Sequence, residues 1–190
     1  PLSDTLVLDL TQVIAGPTAG QILGDMGADV IKVEPLQGEH FRPHFGGAWV
    51  PSMNRNKRGL ALDLRTEGGR DVLMRLVAKA DVFMEAFTPG VIDKLGFGWE
   101  TVSKANPRLV YASVSGYGQT GPYSGRAGYD PCIQAEVGLI EATGPMDGEM
   151  CRVGTAAVDY STGLACAGGI AFALLHRIKT GKGQRLDLSL

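Results

Sequence analysis

The sequence is short of several features that mark particular classes of protein. It has three cysteines in 190 residues, Cys132, Cys151 and Cys166, and none belongs to a CxxC pair. We therefore expect a reduced intracellular protein without a zinc site. Lys and Arg number 18 against 20 Asp and Glu, with no long block of one sign. This balance argues against a nucleic acid or a membrane surface as the main partner.

Targeting segments and long apolar runs are also scarce. The most apolar run, residues 163–175, is too short to cross a bilayer and is typical of a buried helix. No charged and then apolar leader opens the chain, so we expect no signal peptide. These features favour a cytoplasmic protein, with the mitochondrial matrix as the alternative if an organelle presequence has been removed. The 190 residues are enough for one folded domain with its own core.

Short apolar runs alternate with helical patterns along the chain. Strands are predicted at residues 5–10, 29–34, 60–64, 81–87, 108–116 and 183–190. Helices are predicted at residues 17–28, 66–80, 89–96 and 98–106, and from Asp159 onward. This rhythm predicts an α/β fold with a mostly parallel sheet and helices on both faces. The Pro- and Gly-rich residues 35–59 predict a long irregular loop, and loops of that length are usually functional.

Two common nucleotide and hydrolase motifs are missing. The first strand-to-helix turn reads LTQVIAGPTAG, which lacks the GxGxxG spacing of dinucleotide-binding folds. No serine lies in a GxSxG elbow. Neither NAD binding in the usual manner nor a serine hydrolase is therefore supported. His40, His44 and His176 have no evident base partner in the sequence, and we interpret all three as structural.

The residue types elsewhere leave alternatives open. The stretch NRNKRG, residues 54–59, is interpreted as a solvated basic turn, with a phosphate clamp as the alternative. Phe87 follows a predicted strand and belongs either to the core or to a purine-stacking site. Lys94 faces either solvent or a phosphate. Spacing alone does not decide among these interpretations.

Asp159 opens a long helix of small and apolar residues. Positions 164, 167, 171, 174 and 178 share one face in the 3.6-residue repeat, which predicts a buried helix. Asp159, Gly163 and Ala167 form a strip of small residues that allows another backbone or a ligand to approach closely. Asp159 is either an N-cap or a carboxylate nucleophile whose ionised form the helix N-terminus stabilises. Spacing alone favours the N-cap, but the pattern does not decide between the two interpretations.

Several blocks together resemble one family. They are VLDLTQVIAGPTAGQILGDMGADVIKVEP, NRNKRGLALDL, ADVFMEAFTPGVIDKLGF, NPRLVYASVSGYGQTGPY, GYDPCIQAEVGL and DYSTGLACAGGIAFALLHRIKTGKGQRLDLSL. In this order they are similar to the class III CoA-transferases, which include formyl-CoA transferase, carnitine CoA-transferase and alpha-methylacyl-CoA racemase. The resemblance implies a Rossmann-like large domain in a dimer whose two subunits interlock. It also implies that residues 1–190 are the N-terminal portion of that domain, without the rest of the large domain or the smaller domain.

The resemblance also implies the site residues. Asp159 matches the family's catalytic aspartate, which attacks an acyl-CoA thioester, and coenzyme A is then a substrate rather than a permanently bound cofactor. Contacts with coenzyme A are implied for the following positions: Ile14, Ala15, Leu62, Asp63, Leu64, Arg65, Ala86, Phe87, Thr88, Lys94, Tyr129 and Asp130. The implied partners are an acyl-CoA, a carboxylic acid and a second subunit, in a homodimer or a heterodimer.

Three positions depart from relatives within the family. Lys94 and Pro35 stand where formyl-CoA transferase has arginines. Tyr129 stands where the racemases have a histidine that works with the aspartate as an acid–base pair. A phenol with a pKa near 10 is a poor base at neutral pH, so Tyr129 favours CoA transfer over racemisation. An acyl-CoA racemase or epimerase and a non-catalytic CoA-binding subunit are the alternatives.

Overall fold

The computed structural model describes residues 1–190, with the side chains of residues 45, 46 and 49 outside that description. The strands are β1 Leu6–Asp9, β2 Asp29–Glu34, β3 Lys57–Ala61, β4 Val82–Glu85, β5 Val110–Ser115 and β6 Gln184–Ser189. The helices are α1 Ala15–Asp25, α2 Trp49–Met53, α3 Glu67–Val77, α4 Val91–Lys94, α5 Trp99–Ala105, α6 Asp130–Glu136 and α7 Ala157–Thr180, with a 3₁₀ turn at His44–Gly47. Strands and helices alternate along most of the chain, as the apolar pattern predicts.

The six strands form one sheet in the order β3-β2-β1-β4-β5-β6, and every neighbouring pair is parallel. The predicted parallel α/β fold is therefore confirmed. Strand order reverses between β1 and β4, because the chain builds outward first to one side of β1 and then to the other. In such sheets the connections after these two strands diverge and leave a crevice at the carboxyl ends.

Two apolar clusters cover the two faces of the sheet. One joins α1 and α7 to one face through buried side chains such as Leu23 and Ile170. The other joins α3, α4 and α5 to the opposite face through side chains such as Leu73 and Val102, with Phe83 and Tyr111 stacked at 5.2 Å between ring centroids. Helices on both faces account for the continuous burial of β4 and β5.

Helix α7 packs closely along α1, and Gly163 makes this approach feasible. A Cβ atom on Gly163 would lie 2.7 Å from the carbonyl oxygen of Ala15. The predicted strip of small residues therefore admits a neighbouring backbone. The helix ends where Gly181 takes a left-handed conformation, with φ of 74°.

The predicted buried face of α7 was wrong in part. Ala167 and Leu174 are buried, but Leu164 and Ile178 are 62% and 77% exposed and Ala171 is exposed as well. Apolar residues occur around the whole helix, so periodicity alone did not identify the face that meets α1 and the sheet. By length and composition α7 could also cross a bilayer, with a mean hydropathy of 1.4, although core helices of globular proteins meet the same test.

The structure also corrects the region before α3. Residues 35–59 are not irregular throughout, since they contain the 3₁₀ turn, α2 and the start of β3. Strand β3 begins at Lys57, three residues before the predicted start, because the Lys57 side chain is buried at an ion pair and not in a solvated turn. Helix α1 starts at Ala15, ahead of Pro17, and the short α6 was not predicted.

Candidate active site

A cavity of about 280 Å³ lies at the carboxyl ends of the strands where the strand order reverses. Residues that follow β1 and β4, the end of β5 and the first turn of α7 all contribute to its wall. The side chains and backbone that line it belong to Leu10, Gln12, Val13, Ala15, Gly16, Ala86, Phe87, Thr88, Pro89, Val114, Ser115, Gly116, Arg126, Ala127, Gly128, Tyr129, Asp159 and Leu190. We call this the first cavity.

A second cavity of about 330 Å³ adjoins the first along the same edge of the sheet. Leu10, Gln12 and Phe87 line both, so a long ligand can extend from one into the other. The further lining residues lie at the end of β2 or follow β2, β3 and α4: Val33, Glu34, Pro35, Leu36, Gln37, Leu62, Asp63, Leu64, Arg65 and Leu95. The two cavities form one elongated site across the strand ends.

Most of the residues that the family resemblance implied lie in this site. Ala15, Ala86, Thr88, Tyr129 and Asp159 line the first cavity. The four consecutive residues of the β3–α3 connection, Leu62, Asp63, Leu64 and Arg65, line the second, and Phe87 lines both. Ile14, Lys94 and Asp130 line neither cavity.

Asp159 is the third residue of α7, and its carboxylate faces the first cavity. The interpretation of Asp159 as an N-cap is wrong, because the cap position is Ala156 and no capping bond from that residue's side chain is present. Among the described residues, none donates a hydrogen bond to the Asp159 carboxylate. A half-buried carboxylate without a donor is free to react with a bound ligand.

Burial, and to a smaller extent the nearby negative charge of Asp130, together raise the pKa of Asp159 from 3.8 to about 6. We had expected the α7 N-terminus to stabilise the ionised form. That effect is outweighed here by desolvation and by a second carboxylate. At neutral pH Asp159 is mostly ionised and poorly solvated, and both properties favour a nucleophile.

Asp130 lies behind the cavity wall and is 3% exposed. Its Oδ2 atom accepts hydrogen bonds from the backbone N–H groups of Val158, at 2.8 Å, and Asp159, at 3.2 Å. Its Oδ1 atom accepts from Nε2 of Gln134. Asp130 therefore satisfies the unpaired donors of the α7 N-terminus from a neighbouring helix, so it positions Asp159 from behind the cavity.

The turn between β1 and α1 is held in a strained form. Val13, which lines the first cavity, has φ of 69°, a left-handed conformation that is costly for a β-branched residue. The side chain of buried Lys32 donates to the carbonyl oxygen of Thr11, and Lys57 pairs with Asp9 at 2.7 Å. These buried charges fix the turn that carries Gln12 and Val13.

The basic stretch at residues 54–59 does not form a phosphate clamp at either cavity. Lys57 is buried against Asp9. Arg55 and Arg58 pair with carboxylates of α1 and β2, Asp25 and Asp29, and neither arginine lines the two cavities. Their guanidinium groups thus stabilise the β3 edge of the sheet.

Arg65 lies at the second cavity, and its guanidinium donates two bonds of 2.9 Å to Asp63. These bonds lower the pKa of Asp63 to about 2. The pair places a guanidinium at this cavity, with its charge balanced by the Asp63 carboxylate.

The three histidines lie apart from both cavities. His40 and His44 are exposed and pack against Phe41, with the two imidazole centroids 5.6 Å apart. His176 is exposed on α7. Within the part of the chain whose side chains are described, no group of three or more His, Cys, Asp or Glu residues could hold a metal ion.

Sequence reasoning missed Gln12, Val13 and Arg126 as lining residues of the first cavity. Gln12 and Val13 were detectable in principle, because they directly follow a central parallel strand. Arg126 gave no comparable signal, since its place depends on the path of the long β5–α6 connection.

The fold and site define a class: an α/β domain with a parallel sheet and an elongated cavity at its switch point, with the half-buried carboxylate of Asp159 at that cavity. The sequence model of CoA-transferase family III matches residues 2–190, and the chain belongs to this family.

Curated relatives match along the whole chain. It is 44% identical to succinyl-CoA:glutarate CoA-transferase of Mus musculus, covering 100% of this chain and 45% of the relative. It is 45% identical to acetyl-CoA:oxalate CoA-transferase of Acetobacter aceti, covering 100% of this chain and 51% of the relative. A crystal structure of a CAIB/BAIF family protein from Brucella suis has a TM-score of 0.97 at 43% identity, covering 100% of this chain and 53% of that one. The chain thus spans about half the length of the relatives it matches.

Proposed function

We propose that the protein is a CoA-transferase that moves coenzyme A from an acyl-CoA to a free carboxylic acid, with Asp159 as the covalent nucleophile. Family membership and relatives named as CoA-transferases support the reaction class. The observation that carries the role of Asp159 is geometric. Its carboxylate lies half-buried at a ligand-sized cavity and has no hydrogen-bond donor among the described residues.

The proposed chemistry needs no group beyond the two substrates. An Asp159 carboxylate oxygen attacks the thioester carbonyl, the C–S bond breaks, and a mixed anhydride and CoA thiolate result. The thiolate attacks the Asp159 carbonyl carbon, which releases the donor acid and leaves an enzyme thioester. The acceptor carboxylate attacks this thioester, giving a second anhydride and thiolate. The thiolate then attacks the acceptor acyl carbon, which yields the new acyl-CoA and free Asp159.

The shape of the site fits such a substrate. We place the nucleotide part of coenzyme A in the second cavity, near Leu62 and the Asp63–Arg65 pair, and the thioester in the first cavity at Asp159. The pantetheine arm then passes Phe87, which lines both cavities. The small residues Ala15, Gly16 and Ala86 leave room beside it.

The two CoA-transferases named above are named for succinyl-CoA with glutarate and for acetyl-CoA with oxalate, so each name includes a small free dicarboxylic acid. We propose that this protein likewise uses small dicarboxylic acids. We further propose that residues 1–190 are the N-terminal portion of the large domain and that the full-length protein works as an interlocked dimer in the cytoplasm or the mitochondrial matrix.

Trapping the covalent intermediate tests this proposal. The protein is mixed with an acyl-CoA, quenched, digested and examined by mass spectrometry. We expect an acyl or CoA adduct on the peptide that contains Asp159, and none in the Asp159→Asn variant. Asp147→Asn, a change at an exposed acid that lines neither cavity, is the matched control and should keep the adduct. Transfer without any adduct on Asp159 would contradict the proposal.

A racemase of the same family is the alternative, although Tyr129, which lines the first cavity with Asp159, is a poor base at neutral pH. Incubation of an enantiopure 2-methylacyl-CoA in deuterated water without an acceptor acid distinguishes a racemase from a CoA-transferase. Deuterium at the α-carbon would favour the racemase, and its absence together with transfer to an added acid would favour the CoA-transferase. A non-catalytic CoA-binding subunit would bind acyl-CoA but show neither reaction nor adduct.

A further inference from the structure

The first cavity holds a positive charge that the proposed chemistry does not use. Arg126 lies on the connection between β5 and α6 and lines the same cavity as Asp159. The two side chains form no ion pair with each other, so each remains available to a ligand between them.

The two ends of the β5–α6 connection, which carries Arg126, lie in contact with each other. A Cβ atom on Gly116 would lie 2.6 Å from the Cα atom of Gly128, so the two ends of the connection touch at a pair of glycines. Any side chain at either position would separate them. The segment between these glycines is therefore a closed loop anchored at the end of β5.

Aromatic contacts fix the Arg126 side chain on this loop. Its guanidinium carbon lies 4.0 Å from the centre of the Tyr123 ring. Tyr123 packs edge-on against Tyr117 with 5.9 Å between ring centroids, and the Tyr117 hydroxyl donates to Glu136 of α6 at 2.9 Å. A guanidinium held by its face keeps its N–H edges free, which is the geometry for bidentate binding of a carboxylate.

Arg126 lacks the acidic partner that several other arginines of the described residues have. Arg42, Arg58 and Arg65 each donate to a carboxylate. Within the described part of the chain, the Arg126 guanidinium has neither a carboxylate nor another hydrogen-bond acceptor. Arg126 is exposed at the cavity, and an arginine there without an acceptor is suited to an anionic ligand.

We propose that Arg126 binds the free carboxylate of a dicarboxylic acid while its other carboxylate reacts at Asp159. This assignment rests on the proposed CoA transfer and adds a residue that selects the acid. The phosphates of coenzyme A are the other anions in the reaction. In the placement above they lie at the second cavity, whereas Arg126 shares the first cavity with the reacting acyl group.

The test compares acids of equal carbon number in the full-length protein. With acetyl-CoA as donor, transfer is measured to succinate and to butyrate, which lacks the second carboxylate. We expect Arg126→Gln to raise the KM for succinate about tenfold to a hundredfold, as for loss of a charge-assisted hydrogen bond. The KM values for butyrate and acetyl-CoA should change by less than about twofold. Arg126→Lys keeps the positive charge but cannot form the two parallel hydrogen bonds of a guanidinium, so its KM for succinate should lie between those of the unmodified protein and Arg126→Gln.

The outcomes separate the two proposals. Arg152→Gln removes an exposed arginine that lines neither cavity and should leave both acids unaffected. An equal loss for succinate and butyrate, or a raised KM for acetyl-CoA, would overturn the assignment of Arg126 but leave CoA transfer intact. Absence of transfer to either acid by the unmodified protein would overturn the proposed function and the assignment with it.

Discussion

The Asp159 carboxylate should destabilise the folded protein at neutral pH, and its removal should therefore be stabilising. Its pKa of about 6 in the folded protein lies above the ordinary value of 3.8, because burial and Asp130 disfavour the charged form. The folded state thus binds the proton more tightly than the unfolded chain does. By linkage, stability falls as pH rises between about 4 and about 6, and the full cost is present above that range.

The magnitude follows from the same values. A difference of about 2 between the two pKa values corresponds to about 3 kcal/mol. Asp159 is partly exposed, and screening by solvent reduces this to about 2 kcal/mol. The isosteric Asp159→Asn variant cannot ionise. We therefore expect its free energy of unfolding at about pH 8 to exceed that of the unmodified protein by about 2 kcal/mol, with this excess absent at about pH 4.

Urea unfolding of both proteins across this pH range measures the effect. The pH dependence of the difference isolates the contribution of the proton from any packing change caused by the amide. Asp147→Asn, at an exposed loop acid, should show a difference that does not vary with pH. If Asp159→Asn is no more stabilising at about pH 8 than at about pH 4, the ionised Asp159 carboxylate does not destabilise the folded protein.

The remaining predictions concern the pH dependence of CoA transfer and the packing of α7. The rate of CoA transfer should decline below about pH 6 as Asp159 becomes protonated. Asp130→Asn should move this decline to lower pH, because it removes a charge that raises the Asp159 pKa. An unchanged pH–rate profile in this variant would contradict the coupling between the two carboxylates. Gly163→Ala should destabilise the fold by about 1–3 kcal/mol, because its Cβ would lie 2.7 Å from a backbone oxygen of α1. Gly168→Ala, in the same helix with no atom within 4 Å of its added Cβ, should instead stabilise by up to about 1 kcal/mol in thermal unfolding.

The sheet could be predicted from the sequence because its strands obey simple rules. β1, β2, β4 and β5 are short apolar runs between helical patterns, and burial on both faces produces such runs. The edge strand β3 begins with Lys57, whose charge indicates a turn unless its partner Asp9 is known. That partner lies 48 positions away in sequence, so local pattern cannot reveal it.

The site was predictable only in part for the same reason. The positions of Asp159 and of the segments after β3 and β4 follow from the chain's resemblance to its family. The capping of α7 by Asp130 joins residues 28 and 29 positions apart. The place of Arg126 depends on a loop closed by Gly116 and Gly128. Long-range contacts of this kind become visible only in three dimensions.

Isotope transfer through Asp159 tests the central claim most directly. In the proposed sequence, one oxygen of the acceptor acid remains on Asp159 after the new acyl-CoA leaves. With an acceptor whose carboxylates carry ¹⁸O, digestion after turnover should show heavy oxygen in the peptide containing Asp159, and the donor acid released in later cycles should carry it too. Full turnover with no label in that peptide would show that the acyl group never resided on this carboxylate.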